Sequence, residues 1–186
     1  MSTGVIKYEG SITVEGQVGD FERIIDPQSW SDNFPFIWPQ SYLINGSLPS
    51  DRDPAPPGLA RVATMPRFGF LFEQVLFAGG ILYSNVIDTD LQVRDGGLLF
   101  RYSEVDCRTT DTLLNTVDGG IDIDNGFALV VPAEGMPGFV TVTVTKEVRF
   151  TEPSPFVDNE PLFFEAVVKL SMDALLQSLI FVGALT

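Results

Sequence analysis

The sequence has no histidine among its 186 residues. Ser-His-Asp triads, Cys-His pairs, histidine-ligated zinc and histidine pH switches are therefore excluded. Cys107 is the single cysteine, so no internal disulfide can form and nothing indicates an oxidising compartment. Because the sequence shows neither a base nor an electropositive setting for its thiol, we interpret Cys107 as a small buried hydrophobic residue.

Basic residues are scarce as well. The chain has 11 Lys and Arg against 25 Asp and Glu, which gives a formal net charge of −14. Nucleic acids and anionic membrane surfaces are bound mainly through Lys and Arg, so neither is expected as a partner. We interpret the acidity as a means of keeping a surface soluble around a very apolar interior.

No segment has the pattern of a signal peptide or a membrane span. The first ten residues have no apolar core, so a cytoplasmic location is expected. The most hydrophobic stretch, residues 162–185, carries a polar residue at every fourth position, which argues against insertion into a membrane. These polar residues are Glu165, Lys169, Asp173 and Gln177.

Cofactor and metal motifs are also missing. Gly79-Gly80 and Gly96-Gly97 lack the spacing and the lysine of a phosphate-binding loop. A calcium loop that started at Asp122 would need glycine where Phe127 stands and glutamate where Ala133 stands. We predict neither a cofactor nor a metal, and interpret the acidic segment as a hairpin turn.

The residues that are present indicate one globular domain spanning 1–186. Hydrophobic residues make up 45% and charged residues 19%, and the 15 Phe need either a thick core or a cavity to line. The proline-rich segment 48–58 is predicted to be a loop and is a candidate lid.

Period-two alternation predicts a mainly antiparallel β protein. A first strand is expected at 11–15, a short helix at 18–25 that ends at Asp26-Pro27, and a candidate second strand at 40–46. Hairpin turns are indicated by pairs such as Asp95-Gly96 and Asn125-Gly126. Further extended segments are predicted at 59–65, 69–77, 81–93, 98–108, 113–117, 121–131 and 139–151.

The last element is predicted to be a long helix over about 156–185, continuous at least from 160 to 182. Its polar residues form one narrow stripe and apolar residues cover the rest, so most of its circumference must be enclosed. We therefore predict an α+β fold in which a curved antiparallel sheet wraps around a long C-terminal helix.

In this order of elements the sequence resembles the START-like superfamily, which includes polyketide cyclases and the birch-pollen allergen. The resemblance rests on Asp26-Pro27 followed by Trp30 and Trp38, on the meander 68–107, and on the segment 146–150 before the closing helix. The proline-rich insertion departs from the shorter form of the pattern. The resemblance implies a helix-grip fold with a hydrophobic cavity between sheet and helix, in which some members bind or carry ligands and others catalyse cyclisation, dehydration or hydrolysis.

Strand register predicts which polar residues face that cavity. A turn centred on Asp95-Gly96 places Val93 opposite Leu98, Leu91 opposite Phe100, Ile87 opposite Glu104 and Asn85 opposite Asp106. A three-residue loop at 78–80 would pair the preceding segment with the start of this hairpin and place Glu73 opposite Asn85. A slip of one residue in that loop would put Gln74 on the inward face in place of Glu73. The polar residues predicted on the inward face are Glu73, Tyr83, Asn85, Tyr102, Glu104 and Asp106.

Lys146 stands in the apolar phase of the last predicted strand, so it is expected to pair with a carboxylate such as Glu104 or to reach the cavity mouth. These polar groups either cap the wetter end of the sheet by pairing with one another or orient a ligand. Candidate catalytic residues are Glu73, Tyr83, Tyr102, Glu104 and Lys146. Candidate ligand-binding residues are Trp30, Phe36, Trp38, Asn85, Phe100 and Leu170, of which the first three are explained equally well by core packing.

Three functions remain open from the sequence. The first is binding of a hydrophobic small molecule, such as a polyketide, lipid or terpenoid-like compound, by a monomer or homodimer. The second is a cofactor-independent cyclase or dehydratase that uses the cavity carboxylates, tyrosines and lysine. The third is a protein-interaction module without turnover, which an exposed apolar patch in place of a pocket would favour.

Overall fold

The computed structural model describes residues 4–26, 40–43, 55–65, 82–110, 116–118 and 121–150. It also describes five helical residues near the C-terminus: Lys169, Met172, Asp173, Leu176 and Gln177. None of the helices within these residues is long and apolar enough to cross a lipid bilayer.

Within these residues, eight strands form one sheet in which each pairing is antiparallel. The sheet order is β1-β8-β7-β5-β4-β3-β2, and β6 pairs with β5 off this path. The elements are β1 (Ile6–Glu15), α1 (Val18–Ile25), β2 (Gln40–Leu43), β3 (Ala60–Met65), β4 (Leu82–Arg94), β5 (Gly97–Thr110), β6 (Thr116–Asp118), β7 (Ile121–Pro132) and β8 (Phe139–Phe150).

These bounds follow the sequence pattern closely for α1, β3, β4, β5, β7 and β8. The segment predicted at 113–117 overlaps β6 only in 116–117, and 113–115 lie outside the described residues. The first strand is longer than predicted, because the alternation of inward and outward residues already begins at Ile6. Helix α1 ends at Ile25, and Asp26 is extended, as expected for a residue before proline. The predicted segment 69–77 lies outside the described residues.

The β4–β5 hairpin turns at Asp95-Gly96, as predicted. Both residues have positive φ, 48° and 74°, as a two-residue type I′ turn requires. The predicted register is confirmed along this hairpin from Val93–Leu98 to Ile87–Glu104.

Beyond that point the predicted pairing of Asn85 with Asp106 is wrong. A bulge leaves Val105 without a partner in the register, so Asn85 pairs with Cys107 and Asp106 lies opposite Val86. An extra residue in one strand reverses the faces of everything beyond it. Asp106 therefore leaves the face on which it was predicted.

The second predicted turn, at Asn125-Gly126, is also wrong. Both residues lie inside β7, where they pair with β8 and β5. A glycine inside a strand often marks a close approach of another group, and the functional site shows which group approaches here.

One face of the sheet carries the apolar core. Even-numbered residues face inward in β1, in β5 up to Glu104, in β7 from Asp124 to Val130 and in β8. Helix α1 covers β5 and β7 with Phe21 and Ile24. By contrast, Leu91 and Val93 are 38% and 67% exposed although the register places them on the same face, so the core does not extend over this end of β4. The core strand residues are Val14, Leu98, Phe100, Ala128, Val130, Val140, Val142 and Val144.

The described residues of the C-terminal helix match the predicted stripe. Leu176 is buried in the core and Met172 packs against it. The exposed residues are the polar ones, Lys169, Asp173 and Gln177. The continuous helix over 160–182 stays a prediction, and Leu170 lies outside the described residues.

Candidate functional site

A row of paired residues crosses the inner face of the sheet. Tyr102 of β5 pairs with Thr89 of β4 on one side and with Gly126 of β7 on the other. Gly126 pairs in turn with Lys146 of β8, which pairs with Tyr8 of β1. Because directly opposed residues project from the same face, two tyrosines and a lysine point toward the space that the C-terminal helix adjoins.

Lys146 forms a buried ion pair with Asp124 of β7. Its Nζ lies 2.5 Å from Asp124 Oδ1, and the two side chains are only 14% and 7% exposed. Lys146 was predicted to pair with a carboxylate such as Glu104 or to reach the cavity mouth, and it pairs with a carboxylate, that of Asp124 instead of Glu104. β7 lies between β5 and β8, so a carboxylate on β7 is nearer to Lys146 than one on β5.

Tyr102 completes this cluster. Its hydroxyl donates to Asp124 Oδ1 at 3.0 Å and accepts from Lys146 Nζ at 3.2 Å. The lysine nitrogen also lies 5.5 Å from the centroid of the tyrosine ring, and that ring stacks on Phe100 at 6.4 Å. We refer to Tyr102, Asp124 and Lys146 as the inner-face cluster.

Burial and charge raise the pKa values of Tyr102 and Lys146. Burial raises the pKa of the Tyr102 hydroxyl well above its usual value, and the charge of Asp124 raises it further. Burial alone would lower the pKa of Lys146, but the attraction of Asp124 and the two hydrogen bonds outweigh it, so that the pKa is raised. At neutral pH the site therefore presents an ammonium and a neutral phenol, and Lys146 is not available as a free-amine base or nucleophile.

Gly126 makes room for the cluster. A Cβ at this position would meet the backbone carbonyl oxygen of Thr145 and would lie 2.9 Å from Cε1 of Tyr102. Real Cβ atoms do not approach backbone this closely, so only glycine lets the Tyr102 ring lie across β7 toward Lys146.

A second polar contact links the sheet edge to the C-terminal helix. Tyr8 donates a hydrogen bond to Asp173 Oδ1 at 2.6 Å. Burial, reinforced by this carboxylate, raises the pKa of Tyr8 to about 12. Beside the contact, an open groove of about 580 Å³ runs between β1 and the helix, with Gly10 and Leu176 among its lining residues.

The predicted site residues have different outcomes. Phe100, Tyr102 and Lys146 lie together on the inner face, and Glu104 is the next inward residue of β5, partly buried. Tyr83 and Asn85 lie in β4, where their backbones pair with Thr109 and Cys107. The roles of all of them in binding or catalysis stay predictions. The predicted residues outside the described part of the chain are Trp30, Phe36, Trp38, Glu73 and Leu170.

Sequence reasoning missed two residues of the site. Asp124 stands in the same phase as Ala128 and Val130, but it was interpreted as part of an acidic turn. Tyr8 stands in the same phase as Ile12, in the part of β1 that was not predicted as strand. In both cases the signal was a polar residue in an apolar alternation.

Solved structures of other proteins share this architecture over nearly the whole chain. The Zhui aromatase/cyclase from a Streptomyces species is 13% identical, with a TM-score of 0.63 and coverage of 95% of this chain and 92% of that one. A START superfamily protein from Mycobacterium smegmatis is 13% identical, with a TM-score of 0.58 and coverage of 97% and 99%. Human STARD10 is 6% identical, with a TM-score of 0.64 and coverage of 96% of this chain and 63% of that one.

This is the START-like helix-grip fold. No protein-family model and no curated protein matches the sequence. At identities of 6–13% the likeness establishes the fold and leaves the activity to the residues of the site. In this START-like fold the inner-face cluster lies on the face where the resemblance implies a ligand cavity.

Proposed function

We propose that the protein binds a hydrophobic small molecule, of polyketide, lipid or terpenoid-like type, between the inner face of the sheet and the C-terminal helix. The observation that carries this proposal is the inner-face cluster, a buried set of polar groups in a mainly apolar face. Ligand sites typically combine apolar walls with a few placed polar groups. The apolar walls here are supplied by residues such as Phe100, Val144 and Val148.

Stability alone does not account for the Lys146–Asp124 pair. Replacing a buried ion pair by apolar residues of similar volume is often neutral or stabilising, because both charges lose their hydration on burial. If this face of the sheet had only a structural role, an apolar residue would suit the position of Lys146 equally well. The residues that flank it on the same face of β8, Val144 and Val148, are buried valines. The pair is better explained as a device that orients a ligand.

The groove beside Tyr8 supports the same proposal. Its volume of about 580 Å³ falls in the range of small-molecule sites, roughly 300–1,000 Å³. It is lined by residues 6–12 of β1, from both faces of that strand, and by the helical residues Lys169, Asp173, Leu176 and Gln177. Tyr8 in this lining pairs directly with Lys146. We infer that a ligand reaches the inner-face cluster from this edge of the sheet.

Native mass spectrometry of freshly purified protein tests the proposal directly, by detecting a co-purified apolar compound. A second test measures the fluorescence of Nile red, an uncharged dye, on binding. Phe100→Leu changes the inner face and should weaken dye binding, whereas Phe127→Leu makes the same change on the opposite, exposed face and should not. A well-folded wild-type protein that neither carries a compound nor binds the dye would contradict the proposal and favour an interaction module.

A cyclase or dehydratase is the second candidate function. The specific observation in its favour is the ammonium of Lys146, held in place by Asp124 and Tyr102, because a positioned cationic donor stabilises the enolate oxygen that forms when a carbonyl compound cyclises. Glu104, the next inward residue of β5, is the candidate base, and Glu73 and Tyr83 remain further candidates.

Turnover is tested with Glu104→Gln and a supplied polyketide substrate. A base typically contributes about 10²–10⁴-fold to the rate, so this variant should keep its affinity and fold but lose most of the conversion. Glu147→Gln is the control, since Glu147 lies on the outer face and pairs with Lys7. Equal turnover by both variants would eliminate Glu104 as the base.

A further inference from the structure

The inner-face cluster leaves one donor for a ligand. The Lys146 ammonium has three N–H groups, and two of them are directed to Asp124 Oδ1 and Tyr102 Oη. Among the described residues, no other group accepts from Lys146. The side chain keeps 14% of its surface exposed.

Tyr102 does not offer a second donor. A phenol has one proton, and that of Tyr102 is already donated to Asp124 Oδ1 at 3.0 Å. The lysine occupies one acceptor position of the same hydroxyl. A ligand that reaches the cluster therefore meets the remaining N–H of Lys146 as its hydrogen-bond donor.

The charge of this donor is already balanced. Asp124 lies 2.5 Å from Lys146 Nζ, and both side chains are largely removed from water. A ligand carboxylate or phosphate would bring a second negative charge next to Asp124. The single ammonium of Lys146 would then have to balance both negative charges. An uncharged carbonyl, ether or phenol oxygen accepts the hydrogen bond without adding charge.

From this geometry we propose that the polar end of the ligand is an uncharged oxygen acceptor, of ketone type, bound by the third N–H of Lys146 on an otherwise apolar body. This inference rests on the proposed function and narrows it. It favours ketone-bearing or hydroxylated polycyclic compounds and disfavours free fatty acids and phosphate esters as occupants of the site.

Three probes with one tricyclic body test the inference: fluorenone, fluorene, and the fluorene carboxylate substituted at the carbon that carries the ketone. Their affinities are measured by displacement of Nile red from the wild-type protein. A hydrogen bond from an ammonium should make fluorenone bind about tenfold more tightly than fluorene, after the loss of carbonyl hydration. The carboxylate should bind more weakly than either.

A charge variant gives the second measurement. Asp124→Asn keeps an acceptor for Lys146 and Tyr102 but removes the negative charge, so affinity for the carboxylate probe should rise at least about tenfold while fluorenone changes little. Asp122→Asn is the matched control, because Asp122 lies in the same strand, is exposed and pairs with Arg149. It should leave the order of the three probes as in the wild type.

The outcomes separate this inference from the proposed function. If fluorene and fluorenone bind equally, or the carboxylate binds most tightly to the wild type, the inference is overturned while ligand binding stands. A carboxylate affinity that is equal in Asp124→Asn and Asp122→Asn also overturns it. If neither Nile red nor any probe binds a well-folded protein, the proposed function fails and the inference fails with it.

Discussion

Tyr8 donates a 2.6 Å hydrogen bond to Asp173, joining the first strand to a helical residue 165 positions later in the chain. Gly10 makes the approach possible, because a Cβ there would meet the Tyr8 hydroxyl and would lie 2.5 Å from Cδ1 of Leu176. One tyrosine therefore connects the sheet edge, the C-terminal helix and the groove beside them.

The Tyr8 hydrogen bond should make stability depend on pH in the alkaline range. Its pKa is about 12 in the fold, against 10.0 for an unperturbed tyrosine. Between these values the unfolded chain loses the proton first, so the contribution of Tyr8 is complete below pH 10.0 and is lost as the pH rises toward about 12. At neutral pH, Tyr8→Phe should lower the free energy of unfolding by about 1 kcal/mol.

Urea unfolding of the wild type and Tyr8→Phe at a series of pH values measures this effect. Tyr8→Phe serves as the reference for the wild type, because Tyr102 and the other ionisable groups titrate in both proteins and their effects cancel in the difference. The stability difference should be constant up to pH 10.0 and fall toward zero by about pH 12. A difference that does not change with pH would show that Tyr8 and Asp173 do not interact in solution.

Leu176 and Gln177 provide a matched test of how the C-terminal helix packs. Leu176 is buried in the core, whereas the adjacent Gln177 is exposed. Leu176→Asp would bury an unpaired charge and should cost several kcal/mol, roughly 3 or more, whereas Gln177→Asp should stay within about 0.5 kcal/mol of the wild type. Thermal melting compares the two. Similar melting temperatures would mean that the helix does not pack on the sheet through this face.

Strand identity and local register were predictable because they depend on neighbouring residues. The alternation in β8 identified Lys146 as an inward residue, and Asp95-Gly96 fixed the β4–β5 turn by its positive φ requirement. The bulge at Val105 was not predictable, since an unpaired residue in a strand leaves no mark in a pattern of period two.

The partner of Lys146 required information that the alternation lacks. Each strand shows which of its residues face inward, but the order of strands in the sheet decides which inward residues are neighbours. Because β7 lies between β5 and β8, Asp124 reaches Lys146. The sequence predicted an extended segment over 121–131 and also a turn at Asn125-Gly126 within it, and only the pairing with β8 shows that the strand continues through that pair.

Gly126 should be intolerant of a side chain. In Gly126→Ala the new Cβ would collide with the carbonyl oxygen of Thr145, which is backbone and cannot rotate away, and with the Tyr102 ring. We expect a loss of several kcal/mol, roughly 2 or more, measured by urea unfolding. The collision should also displace Tyr102 from Lys146 and weaken ligand binding.

The control is Gly19→Ala in helix α1, where nothing lies within 4 Å of the added Cβ. Alanine is the better helix former there, and the variant should be stabilised by about 0.5–1 kcal/mol. If Gly126→Ala were as stable as Gly19→Ala, Tyr102 would not lie across β7 as described.

The last prediction concerns the contribution of the Lys146–Asp124 pair to the free energy of unfolding. Lys146→Met or Asp124→Leu alone leaves one buried charge without its partner, and each should lower the free energy of unfolding by roughly 3–5 kcal/mol. The double variant removes both charges and should lie within about 1 kcal/mol of the wild type, because apolar residues suit the valine-rich face around Val144 and Val148. Such a result would assign the pair to recognition, since the fold does without it, and the double variant should then lose its preference for a ketone-bearing probe over the hydrocarbon. Urea unfolding of the wild type, the two single variants and the double variant measures the four free energies of this double-mutant cycle. A double variant as unstable as the single ones would instead show that the fold needs the pair, and would contradict its assignment to ligand recognition.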